Sequence, residues 1–366
     1  MLLDLSAAFD LVDPELLLQK LKVYGFDDNT LMWVESYLTG RHQAVWIDHA
    51  LSDFLPCKVG VLQGSNLGPL FFLIFFNDLP HSLNCPADAY ADDTTMTVTG
   101  KTVEEIGNTM TENCELVSKW MLSNKLKLNA DKTHLMTVGT KTRLNMQDSQ
   151  LVVKMDGLIL KESEEHVETL LGCQIEPTLK WHKQVEEVIK KLRKRLTALE
   201  NLRNIIPFHL RKRITEGMFT SVLVYCLPLF SGCDKFEMES LQVMQNKAAR
   251  LVTRMGLRTS RQTIFNQVEW LTVNQLSFYH SALCTYRIRQ SKEPEYLCSI
   301  MNRNNRANRI IIPNTDLTLA KQSYCFRGSA QWNSLPENIR NNCKISNFKS
   351  LLKKWIQQNV PRFVDS

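Results

Sequence analysis

Two adjacent carboxylates, Asp92 and Asp93, follow Tyr90-Ala91 inside a segment that has the pattern of β-structure. The stretch 94–99 after them is rich in β-branched residues that alternate with polar or sulfur-containing side chains, as in a half-buried strand. Because successive side chains of a strand point to opposite faces, both acids can share one side only if the chain turns between or at them. The run therefore predicts a strand, a tight turn and a second strand.

An acidic hairpin tip of this kind has two readings. Carboxylate oxygens at the end of rigid strands are natural ligands for Mg²⁺, which prefers a few carboxylates together with water and substrate phosphate. Aspartate is also a common turn residue, so a solvated acidic turn is the plain alternative. The choice between them depends on what else the chain can bring to the hairpin.

Two other features of the N-terminal part could join it. Asp4 stands inside the apolar stretch 1–5, where a carboxylate is costly unless it is paired or bound to a metal. Gln63-Gly64 lies in a loop that leads into an apolar helix, and such a loop allows close backbone approach to a phosphate. In this order the elements form a β-α-β-β platform on which Asp4 and Asp92 are neighbours, as two-metal chemistry requires.

The charge of the chain is divided along its length. At 366 residues we expect two or more compact units. Residues 1–100 carry 13 acidic and 4 basic side chains, whereas the remainder carries 25 and 40. An acidic front and a basic back favour metal chemistry in the first part and a bound polyanion in the second. Uneven solvent-facing charge is the alternative.

Membrane and disulfide classes are disfavoured. The longest apolar run, 70–76, is too short to span a bilayer, and an N-terminus with Asp4 and Asp10 has no basic region of a secretory signal. We expect an intracellular protein, nuclear or cytoplasmic, that does not act in a membrane. The ten cysteines are scattered, with no C-x-x-C pair and no zinc-finger spacing to histidine, which predicts buried thiols and no structural zinc.

A basic helix is the main feature of the second half. Apolar residues from Val185 to Leu202 recur at helical spacing, and basic side chains cover the other face. These basic residues are Lys190, Lys191, Arg193, Lys194 and Arg195. They are suited to bind a phosphate backbone, and a solvated charged face is the alternative. Elsewhere the pattern predicts a helix over 103–122 and strands over 135–138 and 170–175, the last containing Gly172.

The ordered motifs resemble those of the reverse transcriptases of non-LTR, LINE-type retrotransposons. The segment 3–10, LDLSAAFD, resembles the family's first motif, usually L-D-L-S-K-A-F-D, and Tyr90-Ala91-Asp92-Asp93-Thr94 resembles the third. The other matching segments are 60–70, 124–133 and 170–173 for the second, fourth and fifth motifs, and 245–250 and 328–336 for recurring C-terminal stretches. The likeness covers nearly the whole chain.

The resemblance implies a metal-binding role for the acidic residues. Asp4 and Asp92 would hold two Mg²⁺ ions (Mn²⁺ being an alternative), the Leu5 carbonyl would assist, and Asp93 would be the adjacent catalytic carboxylate. No small-molecule cofactor is implied.

It also implies a nucleotide site. Phe9 would lie under the incoming sugar and reject a 2′-hydroxyl, and Gln63 and Gly64 would contact the nucleotide and the template. Lys132 would neutralise or protonate the pyrophosphate. Core packing is the alternative for Phe9, and a solvated turn lysine is the alternative for Lys132.

The implied architecture is α+β. A reverse-transcriptase palm would occupy 1–176, a basic helical thumb 177–260, and a C-terminal region of unknown role 261–366. The implied activity is RNA-directed DNA synthesis, with an RNA template, a DNA primer and dNTPs as partners. A catalytically silent nucleic-acid-binding remnant and a metal nuclease are the rival functions. The sequence does not predict an oligomeric state.

Several positions depart from the family's pattern. The sequence starts inside the first motif, so we expect a truncated copy without the fingers subdomain. Leu62 stands where a proline is usual, and Asn66 where an apolar residue is usual. Asp88 and Ala89 replace larger apolar residues in the strand that enters the hairpin.

Overall fold

The structure, a computed structural model, divides the chain into two compact units, Met1–Glu168 and Thr169–Ser366. It describes residues 1–129, 132–145, 151–160, 162, 167–301, 304–305, 308–312, 314–342 and 344–362. Residues 130 and 131 of the fourth motif therefore lie outside the described residues. Both units contain helices and short strands, which confirms the α+β class. The three functional regions with boundaries at 176 and 260 stay a prediction.

The first unit alternates short strands with helices. Its elements are β1 (Leu2–Leu3), α1 (Pro14–Val23), α2 (Asp28–Leu38), β2 (Arg41–Gln43), β3 (Trp46–Ile47), β4 (Ala50–Leu51), β5 (Leu55–Cys57), α3 (Gly68–Phe76), β6 (Ala87–Tyr90), β7 (Asp93–Met96), α4 (Val103–Ser123), α5 (Lys141–Asn145), β8 (Val153–Met155) and β9 (Leu158–Leu160).

A three-stranded antiparallel sheet in the order β1-β7-β6 forms the centre of this unit. The β6–β7 hairpin is closed by the turn Ala91-Asp92, with Ala91 in the left-handed region at φ 55°. β1 pairs with β7 so that Leu3 lies opposite Thr94. On its other side β1 is bonded to His134, because the Leu2 amide donates to the His134 carbonyl over 2.9 Å.

Helices cover the sheet and bury a common apolar core. Phe72 and Phe75 of α3 are fully buried, and the Phe72 and Phe76 rings stack with centroids 5.4 Å apart. The long helix α4 begins at Thr102, whose side chain caps the Glu105 amide, and buries Cys114 and Val117. This burial removes the apolar stripe of the helix from water and is the main stabilising contribution of such a helix.

The Asp13 carboxylate caps α1. It accepts hydrogen bonds from the amides of Glu15 (3.0 Å) and Leu16 (3.1 Å) and from the Lys125 ammonium (2.6 Å). Burial would raise the pKa of Asp13, but the hydrogen bonds from Lys125 and from the two amides hold that pKa below its usual range. The capped helix therefore begins at the N-cap predicted from Asp13-Pro14.

The second unit is mainly helical. Its elements are β10 (Glu168–Leu170), which starts at the unit boundary, β11 (Cys173–Ile175), α6 (His182–Glu200), α7 (Phe208–Thr215), the π-helical turn Glu216–Thr220, α8 (Ser221–Val224), α9 (Leu227–Phe230), α10 (Lys235–Thr253), α11 (Arg261–Val268), α12 (Val273–Ser291), α13 (Glu295–Met301), β12 (Asn304–Asn305), β13 (Arg309–Ile310), α14 (Thr318–Gln322), α15 (Tyr324–Ser334), α16 (Glu337–Arg340) and α17 (Ile345–Asn359).

Two strands predicted from the pattern are wrong. The stretch 135–138 forms only isolated bridges at His134 and Leu135. The stretch 170–175 is a hairpin, β10 and β11, with Leu171 and Gly172 at positive φ in its turn. Apolar spacing does not show this reversal, because the turn is made by the positive φ of Leu171 and Gly172 inside an apolar run.

The helices in the described part of the chain are too short or too polar to cross a bilayer.

Candidate active site

Three carboxylates come together at one end of the central sheet. Asp4 follows β1 directly, and Asp93 is the first residue of β7. Since Leu3 pairs with Thr94 in an antiparallel register, the next residue of one strand faces the preceding residue of the other. Asp4 and Asp93 are therefore opposite each other, with Asp92 beside them in the turn. The fold places all three predicted acids at one site, although they are up to 89 positions apart.

The pKa of Asp93 is raised by burial and by the neighbouring acids. Burial of the carboxyl raises this pKa above its usual range, and the negative charges of Asp92 and Asp4 raise it further. A divalent cation would offset this repulsion, and oxygen-only donors on rigid strands match the ligands that Mg²⁺ takes. The residues present thus fit the metal that the sequence implies. Asp4, Asp92 and Asp93 could hold it.

One ammonium group approaches the three acids. Lys132 Nζ lies 3.9 Å from Asp4 Oδ2, with 69% of the lysine side chain exposed. Its segment is anchored to β1, because the Asn129 amide donates to the Asp4 carbonyl over 2.9 Å. No other ion pair to Asp4, Asp92 or Asp93 occurs among the described residues. The site keeps a net negative charge that a single exposed lysine does not cancel.

The backbone around Leu5 is arranged so that its carbonyl is turned toward the hairpin. The Asp4 carbonyl accepts a hydrogen bond from the Asn129 amide, and the Ser6 amide donates to the Lys127 carbonyl. Both bonds lie on the side of the strand that faces residues 127–129. Carbonyls alternate along an extended chain, so the Leu5 carbonyl points to the opposite side of the strand, where β7 lies. Its predicted part in metal binding is compatible with this direction and stays a prediction.

The second-motif loop is fastened to the first motif by three hydrogen bonds. The Gly60 amide donates to Val12 O over 2.7 Å, and the Val61 amide donates to Phe9 O over 2.9 Å. The third bond runs from Gln63 Nε2 to Asp10 Oδ1 over 2.8 Å. The sequence predicted Gln63 as a nucleotide contact but missed Asp10, which orients it. Its position as the last residue of the motif-like segment 3–10 was the available signal.

Gly64 follows in the same loop with its Cα open to solvent. It has φ +81°, and a Cβ built there would meet nothing within 4 Å. The space over this backbone is free for a ligand to approach, as the prediction for Gly64 requires. The contact itself stays a prediction.

Phe9 packs against the core with one face. Its ring stacks on the Phe72 ring with centroids 4.4 Å apart and planes at 20°. The side chain is half-buried, so the opposite side is not fully covered. Core packing is therefore part of its role. Steric selection against a 2′-hydroxyl stays a prediction.

The predicted basic helix is α6, in the second unit. Val185, Val188 and Leu192 are buried on one face, which packs on α10. All five predicted basic residues are exposed on the remaining surface. Glu187 pairs with Lys190 (3.5 Å) and Lys191 (3.8 Å).

The other three cations of α6 are different. Arg193, Lys194 and Arg195 form no ion pair with any described residue. They remain available to a phosphate backbone, whereas Glu187 would have to release its two lysines first.

The hairpin of the fifth motif is attached to the helical part of the second unit. The Tyr225 hydroxyl donates to the Leu171 carbonyl, and a Cβ at Gly172 would lie 3.7 Å from the Tyr225 ring. Tyr225 was not predicted from the sequence. Tyr225 is 54 positions from Leu171 in the sequence, and no local pattern indicates the hydrogen bond between them.

Comparison with known proteins identifies the first part of the chain. Residues 1–175 match the sequence model of the family described as "Reverse transcriptase (RNA-dependent DNA polymerase)". This part of the chain belongs to the reverse transcriptase family. The family inferred from the ordered motifs is confirmed, and the acidic site described above lies within the matched residues.

Three of the similar curated proteins come from Drosophila melanogaster mobile elements. The RNA-directed DNA polymerase from mobile element jockey is 24% identical over 69% of this chain and 28% of its own length. The probable polymerases from transposon BS (23% identity) and transposon X-element (24%) each align with 79% of the chain. The chain thus spans only about a third of the length of these relatives, 28–33%.

A solved structure of telomerase from Candida albicans with a fragment of telomeric RNA aligns with all of this chain and 51% of that one. The identity is 13% and the TM-score 0.37.

Proposed function

We propose that the chain carries the polymerase site of an RNA-directed DNA polymerase and extends a primer 3′-hydroxyl with dNTPs on an RNA template. The observation that carries this proposal is the meeting of Asp4, Asp92 and Asp93 at one end of the sheet, with the pKa of Asp93 raised by burial and by the charges of Asp92 and Asp4. Two Mg²⁺ ions, or Mn²⁺, would activate the attacking hydroxyl and stabilise the leaving pyrophosphate.

The chain's own groups supply positioning. Asp4 directly after β1, Asp93 at the start of β7 and Asp92 in the β6–β7 turn provide the oxygens. Such elements hold a site more firmly than long loops do. Lys132, close to Asp4 and exposed, supplies a positive charge on the side where a triphosphate could enter. Gln63 is held by Asp10 in a defined orientation for a nucleotide.

The exposed cations of α6 support binding of the template and primer. Phosphate contacts give affinity without sequence information, and they weaken with salt because counterions are released on binding. The same observation supports the rival function, a nucleic-acid-binding remnant without catalysis. Only a test of synthesis separates the two.

Primer extension on poly(rA)/oligo(dT) is that test. We expect Mg²⁺-dependent incorporation of dTTP by the purified chain and its loss in Asp92→Asn. Asp88→Asn is the matched control, because Asp88 is exposed on the adjacent strand β6, outside the cluster of three acids. The control should retain activity.

Three other outcomes would contradict the proposal. Salt-sensitive template binding without incorporation would leave the remnant function. Mg²⁺-dependent loss of the input template would indicate a nuclease. Equal activity in Asp92→Asn and the unmodified chain would show that the acidic cluster is not the site.

A further inference from the structure

Three arginines meet at the C-terminal ends of α6 and α10 in the second unit. Arg254 is the C-cap of α10, and its Nε and Nη2 donate to the Arg203 carbonyl over 3.0 and 2.7 Å. Arg211 Nη1 donates to the same carbonyl over 3.3 Å. One neutral oxygen therefore holds two guanidinium groups close together, although both carry a positive charge.

Helix capping accounts for Arg211 but only in part for Arg254. The Arg211 side chain is buried, and its three nitrogens all donate to backbone carbonyls, those of Arg203, Ile206 and Val252. Such bonds satisfy carbonyls that a helix end leaves without a partner. Arg254 is exposed and has φ 59°, a left-handed conformation that favours glycine at a helix C-cap. An arginine at this position therefore requires a separate account.

The outer edge of the Arg254 guanidinium is open to a ligand. Its Nη1 makes no hydrogen bond with any residue that the structure describes, because the two bonds to Arg203 use Nε and Nη2. Neither Arg254 nor Arg211 forms an ion pair with a described residue. Adjacent N–H groups on one edge of a guanidinium match two oxygens of a phosphate group. The geometry thus suits an anion with paired oxygens.

The cluster carries an excess of positive charge. Only Arg203 has an acidic partner, Glu200, whose Oε1 lies 2.9 Å from Arg203 Nη1. Three guanidiniums and one carboxylate give a formal charge of +2. The two helix C-termini subtract about 0.5 each, so about one positive charge remains. Burial lowers the pKa of Arg211, and the charges of Arg254 and Arg203 lower that pKa further, in agreement with this excess.

We propose that Arg203, Arg211 and Arg254 form a binding site for one phosphate of a nucleic-acid backbone. Arg254 binds the phosphate oxygens with its outer edge, while Arg211 and Arg203 add positive charge and fix the position of Arg254. A backbone phosphate is favoured over free phosphate because the cluster follows α6, whose exposed cations support binding of a template and primer. The site rests on that nucleic-acid binding and not on synthesis. No sequence pattern indicated it, since Arg203 and Arg254 are 51 positions apart.

Binding of a fluorescein-labelled oligo(rA)·oligo(dT) duplex to the full chain tests the site. Fluorescence anisotropy measures Kd between about 50 and 200 mM salt. In Arg254→Gly, the slope of log Kd against log salt concentration should fall by about 0.7–0.9, and binding should weaken about five- to eightfold, as for the loss of one phosphate contact. Arg254→Gln keeps a side chain that can donate to the Arg203 carbonyl, and it should show the same loss even if the glycine variant unfolds more easily.

Lys292→Gly is the matched control. Lys292 is exposed and is the C-cap of α12 with φ 60°, so this change also removes one positive charge and places glycine in a left-handed cap. Its Kd and salt slope should equal those of the unmodified chain. Thermal unfolding compares the two glycine variants, because the effect of glycine on the cap and on the unfolded chain is common to both.

Three results would overturn the proposal. One is a salt slope that is unchanged in both Arg254 variants, or that falls as much in Lys292→Gly. Another is loss of the difference between the unmodified chain and Arg254→Gln when millimolar inorganic phosphate is added at constant ionic strength, which would assign the site to free phosphate. The third is absence of duplex binding by the unmodified chain, which would also refute the nucleic-acid binding proposed for α6. Failure of primer extension alone would refute only synthesis.

Discussion

Replacing Gly60 should move the second-motif loop away from the first motif. Gly60 has φ +90°, and a Cβ there would lie 2.8 Å from the Asp10 carbonyl oxygen and 3.0 Å from the Asp10 Cα. Both atoms are backbone, so a flexible side chain cannot relieve the clash. The second-motif loop would have to move away from the first motif, where it is bonded to Val12 and Phe9.

The expected cost follows from these contacts. Alanine at a left-handed position costs about 1–2 kcal/mol. Weakening the two backbone hydrogen bonds adds about 1 kcal/mol each. Gly60→Ala should therefore destabilise the first unit by about 3–4 kcal/mol, or about 6–16 °C in its thermal midpoint. Gly25→Ala is the matched control: Gly25 has φ +87°, and its Cβ would meet nothing within 4 Å, so only the strain of about 1–2 kcal/mol applies.

Urea and thermal unfolding, followed by circular dichroism, measure the stability of both variants. The transition that Gly25→Ala shifts is the one compared, because Gly25 lies in the first unit. The effect of a Gly→Ala change on the unfolded chain is common to both and cancels in the difference. Primer extension should fall further in Gly60→Ala than in Gly25→Ala, because Gln63 and Asp10 are displaced together. Equal destabilisation by the two substitutions would refute the close packing of the two motifs.

Three further outcomes are expected. Without divalent cations, Asp93→Asn should raise the thermal midpoint of unfolding at pH 7. The pKa of Asp93 is raised in the folded state, so its ionised form destabilises that state. The gain should vanish below about pH 4, and a gain that does not depend on pH would contradict this. Asp13→Asn keeps a capping side chain and removes the pairing with Lys125, so the midpoint should fall by about 1–3 °C at pH 7. Because the pKa of Asp13 lies below its usual range, that difference should shrink as the pH falls below about 4, and a constant difference would count against it. Changing Arg193 and Lys194 of α6 to glutamine should reduce the salt slope of template binding by about 1–2, and an unchanged slope would show that α6 makes no phosphate contact.

The sequence predicted that the three acids lie close together, because Asp4, Asp92 and Asp93 each stand in a recognisable motif of the family that the chain resembles. Strand alternation with a tight turn accounts only for Asp92 and Asp93, whereas the place of Asp4 follows from the order of the elements. The catalytic role of the three acids stays a prediction. The approach of Lys132 to Asp4 was not predicted, because the resemblance implied only a role for Lys132 at the pyrophosphate.

The sequence could not supply contacts that depend on packing between distant segments. The bond from Gln63 to Asp10, the stacking of Phe9 on Phe72 and the contact of Tyr225 with Leu171 all join separate segments of the chain. The strand expected over 170–175 failed for a different reason, because two residues with positive φ reverse the chain within an apolar run. Periodicity alone does not reveal such a reversal.

The two edges of the central sheet are protected by different means. The edge at β1 is covered by residues 127–129 and His134, whereas β6 ends the sheet in the described part of the chain and is mostly exposed. An uncovered strand edge can recruit a strand from another molecule, and a charged side chain on it opposes such growth. Asp88, unusual for the family at this position, places a negative charge there. The aspartate at position 88 therefore opposes edge-to-edge pairing of β6 with another molecule. A larger apolar residue at this position would make the edge prone to aggregation.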